Sequence, residues 1–336
     1  MDLGVLIGQR LADAPSGDEP VDVVAIGKAS REMAKATRHI LGSRVHRQLV
    51  VSDEGGEVFT PKSIVIVGEH PISGANSLRA GEALVSFLES PDHAANALLL
   101  LSGGASSLCV VPAPPLAVED LGELWHAALR AGVDITTLNQ IRASTSLIGG
   151  GALLRHVRAS NSTSLILVDN VVSGARWVAS AMTYDYEPTS QEVDDLWKAI
   201  AMDEPLRSRM SAAFAQRRTL MERELVTQHR NVVLADPAMM LEWALAEASL
   251  RGYQAVDMGS HITGDVEAVV QEWGRTLHNA GPRSAVLGVG EVTVRIDGPG
   301  EGGRCQEMAW RMADELAHES RDAVFLARSS DGRDFV

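Results

Sequence analysis

The chain has 336 residues, of which 45% are hydrophobic, 22% charged and 4% aromatic. This composition excludes a disordered or fibrous protein, and the length suffices for roughly two domains of ~150 residues each. Its 30 Lys and Arg residues are outnumbered by 44 Asp and Glu, for a formal net charge of −14. We expect no nucleic-acid partner, because such a surface repels a polyanion.

The N-terminal sequence and the cysteine content indicate the cellular compartment. The first residues, MDLGVLIG, contain no basic leader segment, and no apolar run approaches the ~20 residues that span a bilayer. Cys109 and Cys305 lie far apart and form no CxxC pair, which argues against a disulfide framework or a cysteine-built zinc site. We therefore expect a cytoplasmic protein without a membrane partner.

Short apolar runs alternate with segments of helical periodicity along the chain. Runs of this kind are typical of parallel strands that are buried on both faces. They occupy Val23–Ile26, Leu49–Val51, Ile64–Val67, Ala97–Leu101, Leu165–Val168, Val232–Leu234, Ala285–Leu287 and Val324–Ala327. Helices are predicted between them, among others over Lys28–Leu41 and Val118–Ala131. The alternation predicts an α/β protein that binds its ligands at the carboxyl ends of the strands.

A long polar helical stretch divides the predicted fold into two domains. Residues Gln191–Gln228 contain no glycine and precede a new strand. We place a larger N-terminal domain with a Rossmann-like parallel sheet at residues 1–229, and a smaller α/β domain at 230–336. The elements expected in the smaller domain are helices over Pro237–Arg251, Val266–Asn279 and Cys305–His318, a strand near Val256, and a two-stranded glycine-rich unit.

Two strand ends in the first domain have sequences that suit an anion. Gly27 and Lys28 follow the first strand and open a helix, whose free amides and partial positive charge favour an anion. A solvated surface lysine is the simpler alternative. The stretch Ser102–Ser106 (SGGAS) follows the fourth strand, and consecutive glycines let backbone amides approach a phosphate. A tight strand-to-helix turn requires the same glycines.

Two further segments of this domain could bind charged groups. Asn139, Gln140 and Arg142 precede the triplet Gly149–Gly151 and a helix that ends nearby, and a guanidinium can hold a carboxylate or a phosphate through two hydrogen bonds. Decoration of a helix surface explains these residues equally well. Asp169, at the end of a buried strand, could hold Mg²⁺ or cap a turn.

The densest glycine pattern lies in the second domain. Glycine recurs from Gly288 to Gly303, and a helix then begins at about Arg304, so that its first amides and the guanidinium suit an oxyanion or a transferring phosphoryl group. A hairpin with glycine turns would explain Gly298 and Gly300, but not the pair before Arg304. Asp331, in the last Ser-Asp-Gly turn, is a candidate metal ligand or turn residue.

These motifs follow one another in a defined order. The set comprises Gly27-Lys28-Ala29, His70-Pro71, Ser102-Gly103-Gly104 with Ser106, Asn139 with Arg142, Asp169, Ala179-Ser180, Gly290-Glu291 with Thr293-Val294, Gly302-Gly303-Arg304 with Gln306-Glu307, and Ser330-Asp331-Gly332. It resembles the glycerate 2-kinase family with the MOFRL C-terminal domain. The resemblance runs from about Val21 to Asp334 and is thin between Ser190 and Gln228.

The resemblance implies a two-domain α/β protein with its active site in the cleft between the domains. Such a protein transfers the γ-phosphoryl group of ATP to the 2-hydroxyl of D-glycerate with Mg²⁺. Lys28 and Arg304 would be the catalytic cations, and Asp169 would hold the metal. The residues implied to bind substrate or phosphate are Ser102, Gly103, Gly104, Ser106, Asn139, Arg142, Glu291, Gln306 and Asp331. The implied partner is a small hydroxy acid or alcohol, and homodimer formation stays open.

The chain departs from the family pattern at several charged positions. After Asp169 the family usually continues with Gly-Asp-Asp, whereas this chain has Asn170-Val171-Val172-Ser173-Gly174. Ala143 and Gly149 stand where the family has cations, and Ala181-Met182-Thr183 replaces Gly-Pro-Thr. Each charge-assisted hydrogen bond lost in this way is worth ~1.5 to 3 kcal/mol. Family chains also continue beyond the Asp-Gly turn, so we expect a shortened C-terminal domain.

Three functions therefore compete. The first is a kinase with D-glycerate as the default acceptor and other hydroxy acids or alcohols left open. The second is a diverged, non-catalytic binding or partner protein, which the lost acids and cations would explain. The third, a nicotinamide-dependent hydroxypyruvate reductase, is disfavoured because neither the turn at Gly27 nor the loop from Ser102 to Ser106 fits the GxGxxG pattern of a dinucleotide site.

Overall fold

The chain forms two compact units. The computed structural model describes residues 3–11, 18–56, 62–172, 174–200, 202–295, 298, 302–317, 322–330 and 334. The first unit comprises Met1–Val168 and Ser173–Leu234, and the second comprises Asp169–Val172 and Ala235–Val336. The short segment Asp169–Val172 thus belongs to the second unit, although it directly follows a strand of the first.

The first unit contains six strands and eight α-helices among its described residues. The strands are β1 (Val21–Ile26), β2 (Val45–Ser52), β3 (Ser63–Val67), β4 (Asn96–Leu101), β5 (Asn161–Leu167) and β6 (Gln228–Ala235). The helices are α1 (Leu3–Leu11), α2 (Ser30–Leu41), α3 (Ala75–Glu89), α4 (Ala105–Leu108), α5 (Val118–Ala131), α6 (Ile135–Thr145), α7 (Ser190–Ala199) and α8 (Glu204–Met221). Short 3₁₀ turns cover Gly42–Arg44, Ala152–Arg155 and Ala175–Ala181.

The six strands form one sheet in the order β3-β2-β1-β4-β5-β6. The pairs β3-β2, β2-β1, β1-β4 and β4-β5 are parallel, and all residues of β1 and β4 are buried. The predicted α/β fold with a parallel sheet is confirmed. In this strand order the chain changes direction between β1 and β4, and ligands of such sheets bind beyond the carboxyl ends of the strands at that point.

Helix packing adds a second core beside the sheet. Leu124 on α5, Ile141 on α6, Trp197 on α7 and Met210 on α8 are all 1% exposed or less and pack in one apolar cluster. Asp134 begins α6 by accepting the Thr137 amide at 2.9 Å, which satisfies one of the free amides of the first turn. None of the helices described is long and apolar enough to cross a membrane.

The second unit is smaller and holds two separate strand pairs. Its described elements are α9 (Pro237–Leu250), β7 (Gln254–Asp257), β8 (Ile262–Asp265), α10 (Val266–Asn279), β9 (Ser284–Leu287), β10 (Gly290–Thr293) and α11 (Arg304–Ala317). Strand β7 pairs with β9, and β8 pairs with β10, both in parallel. The core of the unit is formed by Val266, Val270 and Trp273 of α10 together with Met312 of α11.

The second unit departs from two predictions. The strand predicted over Val324–Ala327 is wrong: within the described residues this segment pairs with no strand, Val324 is 95% exposed and Leu326 is 80% exposed. Within this run Phe325 packs edge-on against Trp273, with the ring centres 5.6 Å apart. The two strands of the glycine-rich unit, β9 and β10, are present but do not pair with each other. Strand β10 pairs instead with β8, which no apolar run in the sequence predicts.

Two helical glycines provide a matched test of this packing. A Cβ atom at Gly122 of α5 would meet only Ile72 Cγ2 at 3.8 Å, whereas one at Gly81 of α3 would collide with the carbonyl oxygen of Val110. We expect Gly122→Ala to raise the free energy of unfolding by about 0.5–1 kcal/mol through helix propensity, and Gly81→Ala to lower it by about 1–3 kcal/mol through overpacking. Urea denaturation measures both. Equal shifts in the same direction would contradict this packing.

Candidate functional site

The turns that follow β1 and β4 interlock at the carboxyl edge of the sheet. Gly27 has a φ angle of +123°, and a Cβ atom there would collide with the Ser102 hydroxyl. The Ala29 amide donates to Ser102 Oγ at 3.1 Å, and the Lys28 amide donates to the Gly103 carbonyl at 2.9 Å. The absence of a side chain at Gly27 is therefore what allows the two turns to meet.

The loop from Ser102 to Ser106 presents backbone donors. Gly104 adopts the left-handed conformation, with φ +80°, immediately before the single turn of α4. Within the described part of the chain, the amides of Gly103, Gly104, Ala105 and Ser106 have no hydrogen-bond acceptor. Successive amides in a turn of this kind form a concave site for an anion. The anion-binding role that the sequence predicts for this loop stays a prediction.

Charged side chains gather beside this loop. A Cβ atom at Gly104 would lie 3.2 Å from Lys28 Cγ and 3.2 Å from the His70 ring. Partial burial lowers the pKa of His70, the positive charges of Lys28 and Arg142 lower it further, and Asp53 opposes them. The ring stays open to solvent on one side. His70 is thus favoured as a neutral imidazole next to two cations.

Helix α6 and the residues after it supply a pocket. Contrary to the expectation that they precede a helix, Asn139 and Arg142 lie within α6. Asn139 Oδ1 accepts the Ser180 hydroxyl at 3.1 Å. The Arg142 guanidinium lies over the Trp125 ring, 5.0 Å from its centre. Arg142, Ser180 and Ser106 line one pocket within the first unit.

Ser180 is held in a strained backbone. Ala179, Ser180 and Ala181 have φ angles of 57°, 51° and 57°, in the left-handed region that costs a residue with a side chain ~1–2 kcal/mol. The carbonyls of Ser180 and Ala181 accept the amides of Gly150 and Gly151 at 2.9 and 2.7 Å. Strain that is compensated by surrounding hydrogen bonds is characteristic of functional sites.

A buried arginine holds the glycine segment that contacts Ser180 and Ala181. Arg217 is 1% exposed and donates from Nη2 to the carbonyl of Gly150 at 2.6 Å and of Tyr186 at 2.9 Å. Burial lowers its pKa to about 10, so it stays positive at neutral pH. The sequence does not single out Arg217, because nothing in a polar helix distinguishes a buried arginine from a solvated one.

In the second unit the predicted cation and amides have acidic partners. Arg304 pairs through Nη1 with Glu291 Oε1, and both side chains are about half exposed. The amides of Cys305 and Gln306 donate to the two carboxylate oxygens of Asp334, each at 2.6 Å. The first turn of α11 therefore binds a carboxylate of the chain itself, where the sequence predicted a place for a phosphate.

Two acidic candidates complete the predicted set. Asp169 belongs to the second unit and is exposed. Asp331 lies outside the described residues. Among the residues described, no group of three or more His, Cys, Asp or Glu side chains could hold a metal ion.

The first unit thus brings seven of the predicted residues to one region, namely Lys28, Ser102, Gly103, Gly104, Ser106, Asn139 and Arg142. The sequence predicts no role for two further residues of this region. Trp125 stacks under the Arg142 guanidinium, and His70 has its pKa lowered by both Lys28 and Arg142. The helical spacing of Trp125 on α5 is typical of a core residue, and His70 stands out in the sequence only as part of the His70-Pro71 motif.

The charge neighbours of His70 can be tested by titration. We expect Arg142→Gln to raise the pKa of His70, because a positive charge that disfavours the imidazolium is removed. Titration of the histidine ring by NMR measures this shift. Arg130→Gln, an exposed position on α5, is the control. An unchanged His70 pKa in the Arg142 variant would show that the two side chains do not interact.

Comparison with known proteins places this geometry in a family. The family model for a domain of unknown function, DUF4147, matches residues 8–215, and the MOFRL family model matches residues 284–335. A glycerate 2-kinase of Pyrococcus horikoshii is 27% identical, with 94% of this chain and 73% of the relative covered. A D-glycerate 2-kinase of Thermotoga maritima is 26% identical, with 94% and 76% covered.

A solved structure has the same fold. The crystal structure of glycerate kinase from Thermotoga maritima matches with a TM-score of 0.78 at 22% identity, covering 95% of this chain and 77% of that one. The DUF4147 model covers more than half of the sequence, and the order of the motifs agrees with it. The chain therefore belongs to the DUF4147 family, in the form that carries a MOFRL region and includes the glycerate 2-kinases.

Proposed function

We propose that the protein is an ATP-dependent phosphotransferase that phosphorylates the hydroxyl group of a small hydroxy acid, with D-glycerate as the acceptor that its relatives suggest. The observation that carries the proposal is the loop from Ser102 to Ser106. Its amides lack acceptors within the described residues and lie beside Lys28 at the switch point of the sheet. Membership in a family with glycerate 2-kinases supports phosphoryl transfer over reduction or simple binding.

In phosphoryl transfer, the site mainly has to place positive charge and hydrogen-bond donors around the phosphoryl group. A transferring phosphoryl group spreads negative charge over its equatorial oxygens, and catalysis consists largely of positioning and neutralising it. The amides of Gly103, Gly104 and Ser106 would hold phosphate oxygens, and the Lys28 ammonium would neutralise them. Because the turn is fixed by the Lys28 and Ala29 amides, these donors need little reorganisation when the ligand binds.

We assign His70 as the proton acceptor of the acceptor hydroxyl. Its Nε2 atom would lie 3.6 Å from a Cβ atom at Gly104, so the ring borders the phosphate loop. The hydroxyl oxygen forms a bond to the γ-phosphorus, the bond from phosphorus to the bridging oxygen of ADP breaks, and the hydroxyl proton passes to the neutral imidazole. Lys28 and Arg142 support this role by disfavouring the imidazolium beforehand.

A metal held by the protein alone does not fit the side chains described, since they form no cluster of three or more ligands. Kinases can bind Mg²⁺ chiefly through substrate phosphates and one or two carboxylates. Asp169 stays our proposed ligand for a Mg²⁺ that arrives with the nucleotide, and no step above depends on it.

The role of Lys28 can be measured by steady-state kinetics. We expect Lys28→Gln to lower kcat/KM by about 10²–10³, the cost of removing one preorganised donor to a developing charge. Lys35→Gln, an exposed position on the same helix α2, should leave kcat/KM unchanged. ADP release is followed over a panel of hydroxy acids. If the wild-type protein binds no ATP and phosphorylates no acid of the panel, the proposed function is wrong.

The role of His70 predicts a pH profile. Because its pKa is lowered from 6.5, kcat/KM should rise with pH on the acidic side of 6.5 and become constant at neutral pH, where the ring is deprotonated. His70→Gln should lower kcat/KM by about 10²–10⁴ and abolish this acidic limb. Persistence of the limb in the variant would assign it to another group.

A further inference from the structure

The pocket beside the phosphate loop is walled by apolar side chains. It lies wholly within the first unit and encloses about 590 Å³, including space that is open to solvent. Its wall includes Ile72, Leu121, Leu124, Trp125, Leu138 and Met182. Ile72 is 38% exposed, and Leu121 and Trp125 are partly exposed, so these side chains can pack against an apolar substituent, which a three-carbon acid lacks.

Several polar groups of the pocket already have partners within the protein. Thr145 donates to the Ile141 carbonyl at 3.0 Å, Ser180 donates to Asn139 at 3.1 Å, and Ser146 accepts two amides. Within the described residues, the polar side chains of the pocket that lack a hydrogen-bond or ion-pair partner are the Arg142 guanidinium, the hydroxyls of Ser73 and Ser106, the Trp125 indole and the Cys109 thiol. A ligand therefore meets one cation, a few uncharged donors and an otherwise apolar surface.

Arg142 is the charge that the ligand must satisfy. Burial lowers its pKa to about 10, and no acidic side chain contributes to the shift. The group therefore stays positive at neutral pH, and it lies over the face of the Trp125 ring. A half-buried guanidinium without a carboxylate partner is costly unless an anion binds it, and its planar fork matches a carboxylate.

The pocket has no room for a second cation at the two positions where the resemblance leads one to expect it. A Cβ atom at Gly149 would lie 3.1 Å from Ala143 Cα and 3.2 Å from Ser146 Cβ. Ala143 is completely buried. Ala143 and Gly149 thus pack against each other, and this close contact disfavours a long cationic side chain at either position. The pocket suits a ligand with one negative charge and few further polar groups.

Building on the proposed function, we propose that the acceptor is a 2-hydroxy carboxylate with a branched or aromatic apolar substituent, larger than glycerate. Its carboxylate binds the Arg142 guanidinium, and its substituent packs against Ile72, Leu121 and Trp125. Burial of a side chain of leucine size is worth ~1.5–3 kcal/mol, which corresponds to a preference of about ten- to a hundred-fold over an acid without it.

Calorimetric binding without nucleotide tests the recognition apart from turnover. We expect 2-hydroxyisocaproate and 3-phenyllactate to bind at least ten-fold more tightly than D-glycerate, and the uncharged amide of 2-hydroxyisocaproate to bind at least ten-fold more weakly than the acid. Arg142→Gln should remove the preference for the acid over its amide, while Arg130→Gln keeps it. Leu121→Ser should reduce the preference for the apolar acid, while Leu129→Ser, at an exposed position of the same helix, should not.

Two results would overturn the proposal: D-glycerate binding as tightly as the apolar acids, or an acid-over-amide preference that survives in Arg142→Gln. If a variant fails to fold, Arg142→Lys, which keeps the charge but loses the fork, takes its place and should weaken acid binding.

Turnover separates this proposal from the general function. A higher kcat/KM for D-glycerate than for every apolar acid leaves a phosphotransferase and contradicts the apolar acceptor. Tight, Arg142-dependent binding of apolar acids with no phosphorylation of any acid supports the recognition and contradicts the phosphotransferase.

Discussion

The close approach of the turns after β1 and β4 is the constraint on which the site of the first unit depends. It requires a residue without a side chain at Gly27, and it uses the Ser102 hydroxyl and the Gly103 carbonyl to hold the amides of Ala29 and Lys28. These two acceptors are occupied by amides of the first turn. The amides of Gly103, Gly104, Ala105 and Ser106 have no acceptor among the described residues. The same contact brings Lys28 beside Gly104 and His70.

Much of the fold of the first unit could be predicted from the sequence. A parallel strand that is buried on both faces has to be continuously apolar, so β1 and β4 were visible as runs in the sequence. Strand β8, with the sequence Ile-Thr-Gly-Asp, is only four residues long and largely exposed, so no apolar run marks it. Val324–Ala327 shows the opposite error, because an apolar run without a pairing partner is not a strand.

The candidate site was predictable only where the backbone itself carries the signal. Glycine at a strand end indicates a turn that needs the conformational freedom of a residue without a side chain, and the sequence SGGAS predicts such a turn. Contacts between distant segments left no such mark. The position of Arg142 over Trp125, the clamp formed by Arg217 and the carboxylate of Asp334 on the first amides of α11 each depend on tertiary packing. Local sequence patterns do not encode these contacts.

We propose that the loop from Ser102 to Ser106 binds the phosphates of the nucleotide. The backbone amide resonances of the protein, followed by NMR during titration with ATP, test this binding. We expect the resonances of Gly103, Gly104 and Ser106 to shift saturably, and inorganic triphosphate to move the same resonances. Saturable ATP binding that leaves these three amides unmoved would contradict it.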